Sequence, residues 1–299
     1  MEELTQHTIP FTKFIHHSAR GFKTWQELCT DIRREVLQAQ SSTEIACTSV
    51  SPDWGPVIVH SLDEDGDIER LNAAMNYNSV TETLLAKVIS TRLFACHFNW
   101  MRIQEGDWRR KNLVIDGHMR LLTVLANATH GRFEAPYSGS RKTPTFCMCP
   151  DNRYHPSFVI ECGDTESKER LLEDMRLWLI GARPFIKVIL IIIYARRGNT
   201  NQVEGRAELY VRDANGDPVL QEEAVRCLPL LLLTRAHHDN RPSFLRLSLS
   251  AQLGSVPEIS SAQFSQKVCK PTQFSPLSID ILRKEARDAM VHMDLVPAT

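Results

Sequence analysis

No apolar run in this chain is long enough to cross a bilayer: the most apolar stretch, 185–194, is ten residues long, about half the roughly 20 that a membrane helix needs. The first residues are acidic and polar, not a basic start followed by an apolar core. No secretory leader is read there, and an intracellular protein, cytoplasmic or nuclear and not secreted, is expected. Neither charge is in excess. Lys and Arg number 35 against 36 Asp and Glu, which withholds the overall basic footprint of a nucleic-acid binder. The densest basic run, Arg109-Arg110-Lys111, reads as solvated loop. The eight cysteines are scattered and lack the two-residue gap of zinc knuckles, so buried reduced thiols are expected. Cys147 and Cys149, with His155 and Cys162 near in sequence, are the pair to check as metal ligands.

Other absences remove whole chemistries. The segment 198–205 lacks the Lys and Ser/Thr of a phosphate-cradling loop, so ATP or dinucleotide binding is not expected. No Gly-x-Ser-x-Gly elbow accompanies His16-His17 or His237-His238, which read as surface histidines. Asp63, Asp65 and Asp67 lack the sixth-position glycine and closing glutamate of a calcium loop, and read as a solvated turn. There are no repeats and no low-complexity tracts.

What is present is an ordinary globular composition, 42% apolar and 24% charged over 299 residues, enough for one large or two smaller domains. The N-terminal 1–23 is expected to be flexible. Residues 24–113 read as mostly helical: Trp25, Leu28, Ile32, Val36 and Leu37 trace one stripe and Leu84, Leu85, Val88, Leu93 and Phe94 another, with a short strand at 57–59. Residues 114–299 read as an α/β (α+β) unit. The expected elements are a helix at 114–126, strands near Arg132, Phe146 and Phe158, a helix from Thr165, a buried strand from Phe185, a hairpin at Asn215-Gly216, a strand at 244–249 and a closing helix at 279–293.

The chemistry concentrates between Pro150 and Tyr194. Ser157 to Glu161 is largely apolar and bounded by Pro156 and Gly163, which predicts a buried strand. A three-residue reversal at His155, Pro156 and Ser157 would set Asp151 opposite Glu161, with Cβ atoms roughly 5 Å apart on one face. Two carboxylates so placed repel unless a cation or a shared proton lies between them, and oxygen donors of this kind suit Mg²⁺ or Mn²⁺. Downstream, Lys168, Leu171, Leu172, Met175, Trp178, Leu179 and Ala182 keep helical spacing. Strand, helix and buried strand then imply a right-handed crossover.

Pro150-Asp151-Asn152-Arg153-Tyr154, Pro156-Ser157-Phe158-Val159-Ile160-Glu161-Cys162-Gly163, Glu166-Ser167, Leu171, Asp174 and Trp178-Leu179 together resemble a group of uncharacterised fungal proteins with a restriction-endonuclease-like, PD-(D/E)XK nuclease fold. The chain is similar, more remotely, to the bacterial Uma2-type members of that superfamily. The resemblance implies a mixed central sheet flanked by helices and a metal-dependent phosphodiesterase acting on DNA or RNA, with Mg²⁺ or Mn²⁺ held by Asp151 and Glu161. Where active members carry a lysine two residues after the acid, this chain has Gly163. Lys168 is the candidate replacement, Lys187 a weaker one, and no upstream helical glutamate is found. A second expectation therefore stands beside the first: a nuclease fold that has lost its chemistry and serves as a binding or accessory protein.

Overall fold

The computed structural model describes residues 12–88, 91–112, 122–125, 128–150, 154–164, 167–225, 244–248 and 274–298. The chain is mixed α/β, as its composition and pattern imply, and is built on two mixed sheets.

The first sheet holds β1 (Lys13–Ser18), β2 (Thr43–Thr48), β3 (Ala74–Asn78) and β4 (Thr83–Val88) in the order β1-β2-β4-β3. Three helices belong to it: α1 (Trp25–Gln38), α2 (Gly55–Asp63) and α3 (Gly66–Arg70). α1 is the crossover that makes β1 and β2 parallel. Thr24 begins it by accepting the Glu27 N–H, while the Glu27 carboxylate accepts that of Lys23, a reciprocal cap. Leu28, Ile32 and Val36 of α1 then pack with Ile58, Val59 and Leu62 of α2 against Ile45, Met75, Tyr77, Leu84 and Ala86 of the sheet.

The expectation of a mostly helical 24–113 is therefore corrected: β2, β3 and β4 lie within it, and β1 lies in the stretch expected to be flexible. Leu84, Leu85 and Ala86 are buried in succession, because the sheet is covered on both faces. A strand so placed loses the period of two and mimics a helical stripe. The β-branched Val57, Ile58 and Val59 lie in α2, not in a strand, since Pro56 suits a first turn and Gly55, Ile58, Val59 and Leu62 fall on the buried face. Asp65 caps α3 and, with Asp67, grips Arg33 at 2.7 and 2.6 Å; the acidic turn is a structural clasp.

The second sheet follows α4 (Arg92–Arg110). It comprises β5 (Leu122–Leu125), β6 (Phe146–Pro150), β7 (Phe158–Asp164), β8 (Val188–Arg196), β9 (Gln202–Arg212) and β10 (Pro218–Val225), in the order β10-β9-β8-β7-β6-β5. β7 and β8 are parallel, joined by α5 (Lys168–Arg176) and the π-helical turn Leu177–Gly181. The other pairs along that order are antiparallel. β11 (Phe244–Ser248) and β12 (Phe274–Ser278) form a separate ladder, followed by α6 (Ile279–Val291) and β13 (Val296–Pro297), which pairs with β9. The hairpin turn at Asn215-Gly216 is where its dipeptide predicts it. Of the helix expected at 114–126, the described residues 122–125 are a strand, and the remainder lies outside the described residues, as do His237 and His238. The strand expected near Arg132 is instead an irregular arm, 128–145, tied by bridges between His130 and Lys142 and between Tyr77 and Arg141.

β8 is apolar throughout its centre because both of its faces are covered. Leu190 and Ile192 meet α4 and α6 on one side, and Ile189 and Ile191 meet α5 and its π turn on the other. His97 of α4 is fully buried against the rings of Phe98 and Phe146, at 4.5 and 6.0 Å. Burial pushes its pKa down to about 4, whereas in the unfolded chain a histidine titrates near 6.5. Between these values the unfolded state binds a proton that the folded state refuses, so stability is lost as pH falls from about 6.5 to about 4. The slope from this one group is at most about 1.4 kcal/mol per pH unit. Urea unfolding across that range should show His97→Leu with a shallower acid slope than the wild type, and an unchanged slope would refute the assignment.

Candidate functional site

The centre of the molecule is a belt of charge where the second face of the first sheet meets the end of β7. The arm 128–145 builds it. Lys142 exchanges two backbone hydrogen bonds with His130, both 2.8 Å, while its neighbour Arg141 exchanges two with Tyr77 of β3, and the Thr143 N–H donates to Asn76 Oδ1 at 2.8 Å. Fixed on both sides, Lys142 turns its side chain inward and keeps 1% of its surface. Its ammonium donates to Asp174 Oδ2 at 2.6 Å and lies 3.5 Å from Glu161 Oε1.

Glu161 is completely buried. Oε1 also accepts the indole N–H of Trp178 at 2.8 Å, and Oε2 accepts the Thr145 hydroxyl at 3.3 Å. Thr145 Oγ1 in turn takes the Cys162 N–H at 3.2 Å. Trp178 reaches the site because the π-helical turn continues the buried stripe of α5, and Asp174 occupies the same helix one turn earlier.

The belt continues through the first sheet. Arg170 donates to Glu44 at 2.6 Å, the Ser167 hydroxyl bonds to Asp164 and Glu44, and the Lys87 ammonium lies 4.0 Å from Glu44. Desolvation pulls Lys87 down, yet Glu44, Glu161 and Asp174 outweigh it and hold its pKa above the ordinary lysine value. Glu44, Glu161 and Asp174 are thus answered by Lys87, Lys142 and Arg170. Beside Thr145 and Cys162 a cleft of about 210 Å³ separates the sheets, lined also by Glu44, Lys87 and Phe98. That is below the roughly 300–1,000 Å³ typical of small-molecule sites.

Of the residues expected at the site, Glu161 and Lys168 are described, and Lys168 pairs with a different carboxylate. β6 and β7 pair Phe146 with Ile160, Cys147 with Val159 and Met148 with Phe158, a register that places Thr145 opposite Glu161. That register is not the one a three-residue reversal at His155, Pro156 and Ser157 would give, which would have set Asp151 opposite Glu161. Asp151 itself lies outside the described residues. Lys168 stands on α5 but points to Glu208 of β9 at 3.7 Å, where Arg206 and the Tyr210 hydroxyl also bind. Glu161 and Glu208 share a row across β8 through Ile191, so Lys168 serves a neighbouring carboxylate. Among the described residues, the surroundings of Glu161 do not fit Mg²⁺ or Mn²⁺: its oxygens face donors, the residue opposite is a hydroxyl, and an ammonium occupies the space between the two acids.

Sequence reasoning missed Lys142 and Thr145. The signal available was Pro144-Thr145 ahead of the Phe146 strand, a proline doublet passed over for Pro150-Asp151. Compared with protein-family models, curated proteins and solved structures, the chain finds no match.

Proposed function

We propose that the chain is a restriction-endonuclease-like fold whose nuclease centre has been closed by an internal cation, and that it acts as a binding or accessory protein without phosphodiesterase chemistry. The observation that carries this reading is the Lys142 ammonium between Glu161 and Asp174. It stands where a divalent ion bridging two carboxylates would have to stand, and it supplies the compensating charge from within the chain. The element order supports the fold: α4, the antiparallel strands β5, β6 and β7, the crossover α5 and the parallel strand β8. On this reading the family's proline-acid doublet would fall at Pro144-Thr145, where the register sets Thr145 opposite Glu161, and not at Pro150-Asp151, and its last motif at Glu161-Cys162-Gly163. One metal-binding acid is then a threonine and the lysine a glycine.

Calorimetry with Mn²⁺ and Mg²⁺ on the full chain, followed by incubation with single- and double-stranded DNA and RNA, tests the proposal. Neither a binding isotherm nor cleavage is expected. Mn²⁺-dependent cleavage that vanishes in both Asp151→Ala and Glu161→Ala would overturn it.

Restoring the missing lysine should not restore activity. A Cβ on Gly163 would stand 3.0 Å from Ser167 Cβ and 3.1 Å from Leu171 Cδ1, so α5 closes over the place that the motif lysine needs. Gly163→Lys is expected to lower stability by about 1–3 kcal/mol through overpacking and to remain inert on nucleic acid. Denaturation and the same cleavage assay would check both halves, and gain of cleavage would count against a closed site.

A further inference from the structure

On the face of β6 that meets α5, Cys147 and Cys149 project side by side, two residues apart on one strand. His130 comes to them from the arm. One ligand atom from each of the three lies within 4.8 Å of the other two, with His130 Nε2 at 3.8 Å from Cys147 Sγ. All three are buried, none more than 4% exposed. The orientation of the ring is the informative detail. His130 Nδ1 contacts the Tyr154 carbonyl oxygen at 3.0 Å, and a carbonyl can only accept, so Nδ1 carries the proton. That leaves the Nε2 lone pair facing the sulfurs. A ring nitrogen tied to a backbone carbonyl while its opposite, unprotonated nitrogen faces a thiol, here Cys147 at 3.8 Å, is the tautomer that a histidine needs to bind metal.

His155 repeats the pattern beside it. Its ring stacks on that of His130 with centroids 6.4 Å apart, its Nε2 contacts the Arg132 carbonyl oxygen at 3.3 Å, and its Nδ1 is buried without a hydrogen-bond partner among the described residues.

We propose that His130, Cys147 and Cys149 form a structural Zn²⁺ site, with His155, whose ring stacks on that of His130, lying beside the three ligands. Two sulfurs and an imidazole are soft to borderline donors, which select Zn²⁺ over the hard ions of a nuclease. Two thiolates cancel the charge of Zn²⁺, so a neutral complex enters the apolar layer of Phe133, Val159 and Trp178, whereas Cu⁺ on the same ligands would leave a buried net charge. Binding releases the thiol protons to solvent and involves no redox step. The metal would pin the arm to β6, and because His130 holds Lys142 through two backbone bonds, it would fix the residue that closes the Glu161 site.

The test uses the full chain, reduced and stripped with chelator, then titrated with Co²⁺ and afterwards Zn²⁺. The wild type is expected to develop the near-ultraviolet thiolate-to-cobalt charge-transfer band, saturating at one equivalent, and to lose it when one equivalent of Zn²⁺ is added. Cys149→Ser should lose most of the band, His155→Ala should retain it with affinity weakened about 10- to 100-fold, and Cys162→Ser, whose thiol lies on the opposite face of the sheet, should match the wild type. Absence of the band in the wild type would overturn the site whatever the variants do, and so would a band that survives Cys149→Ser but not Cys162→Ser. Circular dichroism of each variant separates loss of ligand from loss of fold.

Discussion

Lys142→Met should destabilise the protein by about 3–5 kcal/mol, the range for removing one partner of a buried ion pair. The substitution keeps the length and most of the volume of the side chain, so packing changes little. What changes is that Glu161, with no exposed surface, and Asp174, with little, lose the ammonium between them. Glu161 cannot reach bulk water in its present place and Asp174 keeps only a small part of its surface, so most of the desolvation penalty of the uncompensated charges falls on the folded state. Combining Lys142→Met with Glu161→Gln and Asp174→Asn should recover most of that loss, since the network is replaced as a whole and no charge is left alone. Urea denaturation of the single and triple variants decides the matter. A single variant within 1 kcal/mol of wild type would mean that the ammonium is not what neutralises the pair.

The same network explains how much of the molecule was legible in its sequence. α1, the β9–β10 hairpin and α6 announced themselves because each obeys one period and carries a cap or turn residue where the element ends, α5 by its helical period alone, and β7 and β8 as apolar runs marked off by turn residues. Thr24 before α1, Gly216 in the hairpin and Ser278 before α6 are examples. β4 did not, because it is buried between two layers and its apolar residues run consecutively. α2 did not, because Val57, Ile58 and Val59 prefer strands and only Pro56 and the spacing to Leu62 argue for a helix. At the candidate site, Glu161 was found because an acid inside an apolar strand is conspicuous. Its partners were not. Which residue faces Glu161 depends on the register of β6 against β7, and register depends on the length of a connection that the sequence does not state. Lys142 lies on an irregular arm that has no period at all. It is fixed by backbone bonds to Tyr77 and His130 at its own and the adjacent residue, one from each side of the molecule, and no local pattern encodes such a meeting.

Trp178 joins the charged belt to the thiol cluster, and its truncation should have an effect as large as that of Lys142→Met. Its indole is fully buried, lies 5.3 Å from the Phe133 ring and 5.6 Å from that of His130, and gives its N–H to Glu161. Trp178→Ala removes the volume and the donor together and is expected to cost about 3–5 kcal/mol. Trp178→Phe separates the two contributions. The phenyl ring keeps most of the contact with Phe133 and His130 but leaves Oε1 of Glu161 with the Lys142 ammonium alone, so about 1–3 kcal/mol is expected from the lost hydrogen bond to a buried charge. The order of the two variants carries the information. If Phe is tolerated as well as Trp, the indole N–H contributes nothing and Glu161 is held by Lys142 and Thr145. If Phe costs as much as Ala, the donor rather than the packing is what Trp178 provides, and closure of the site depends on one N–H delivered by the π-helical turn.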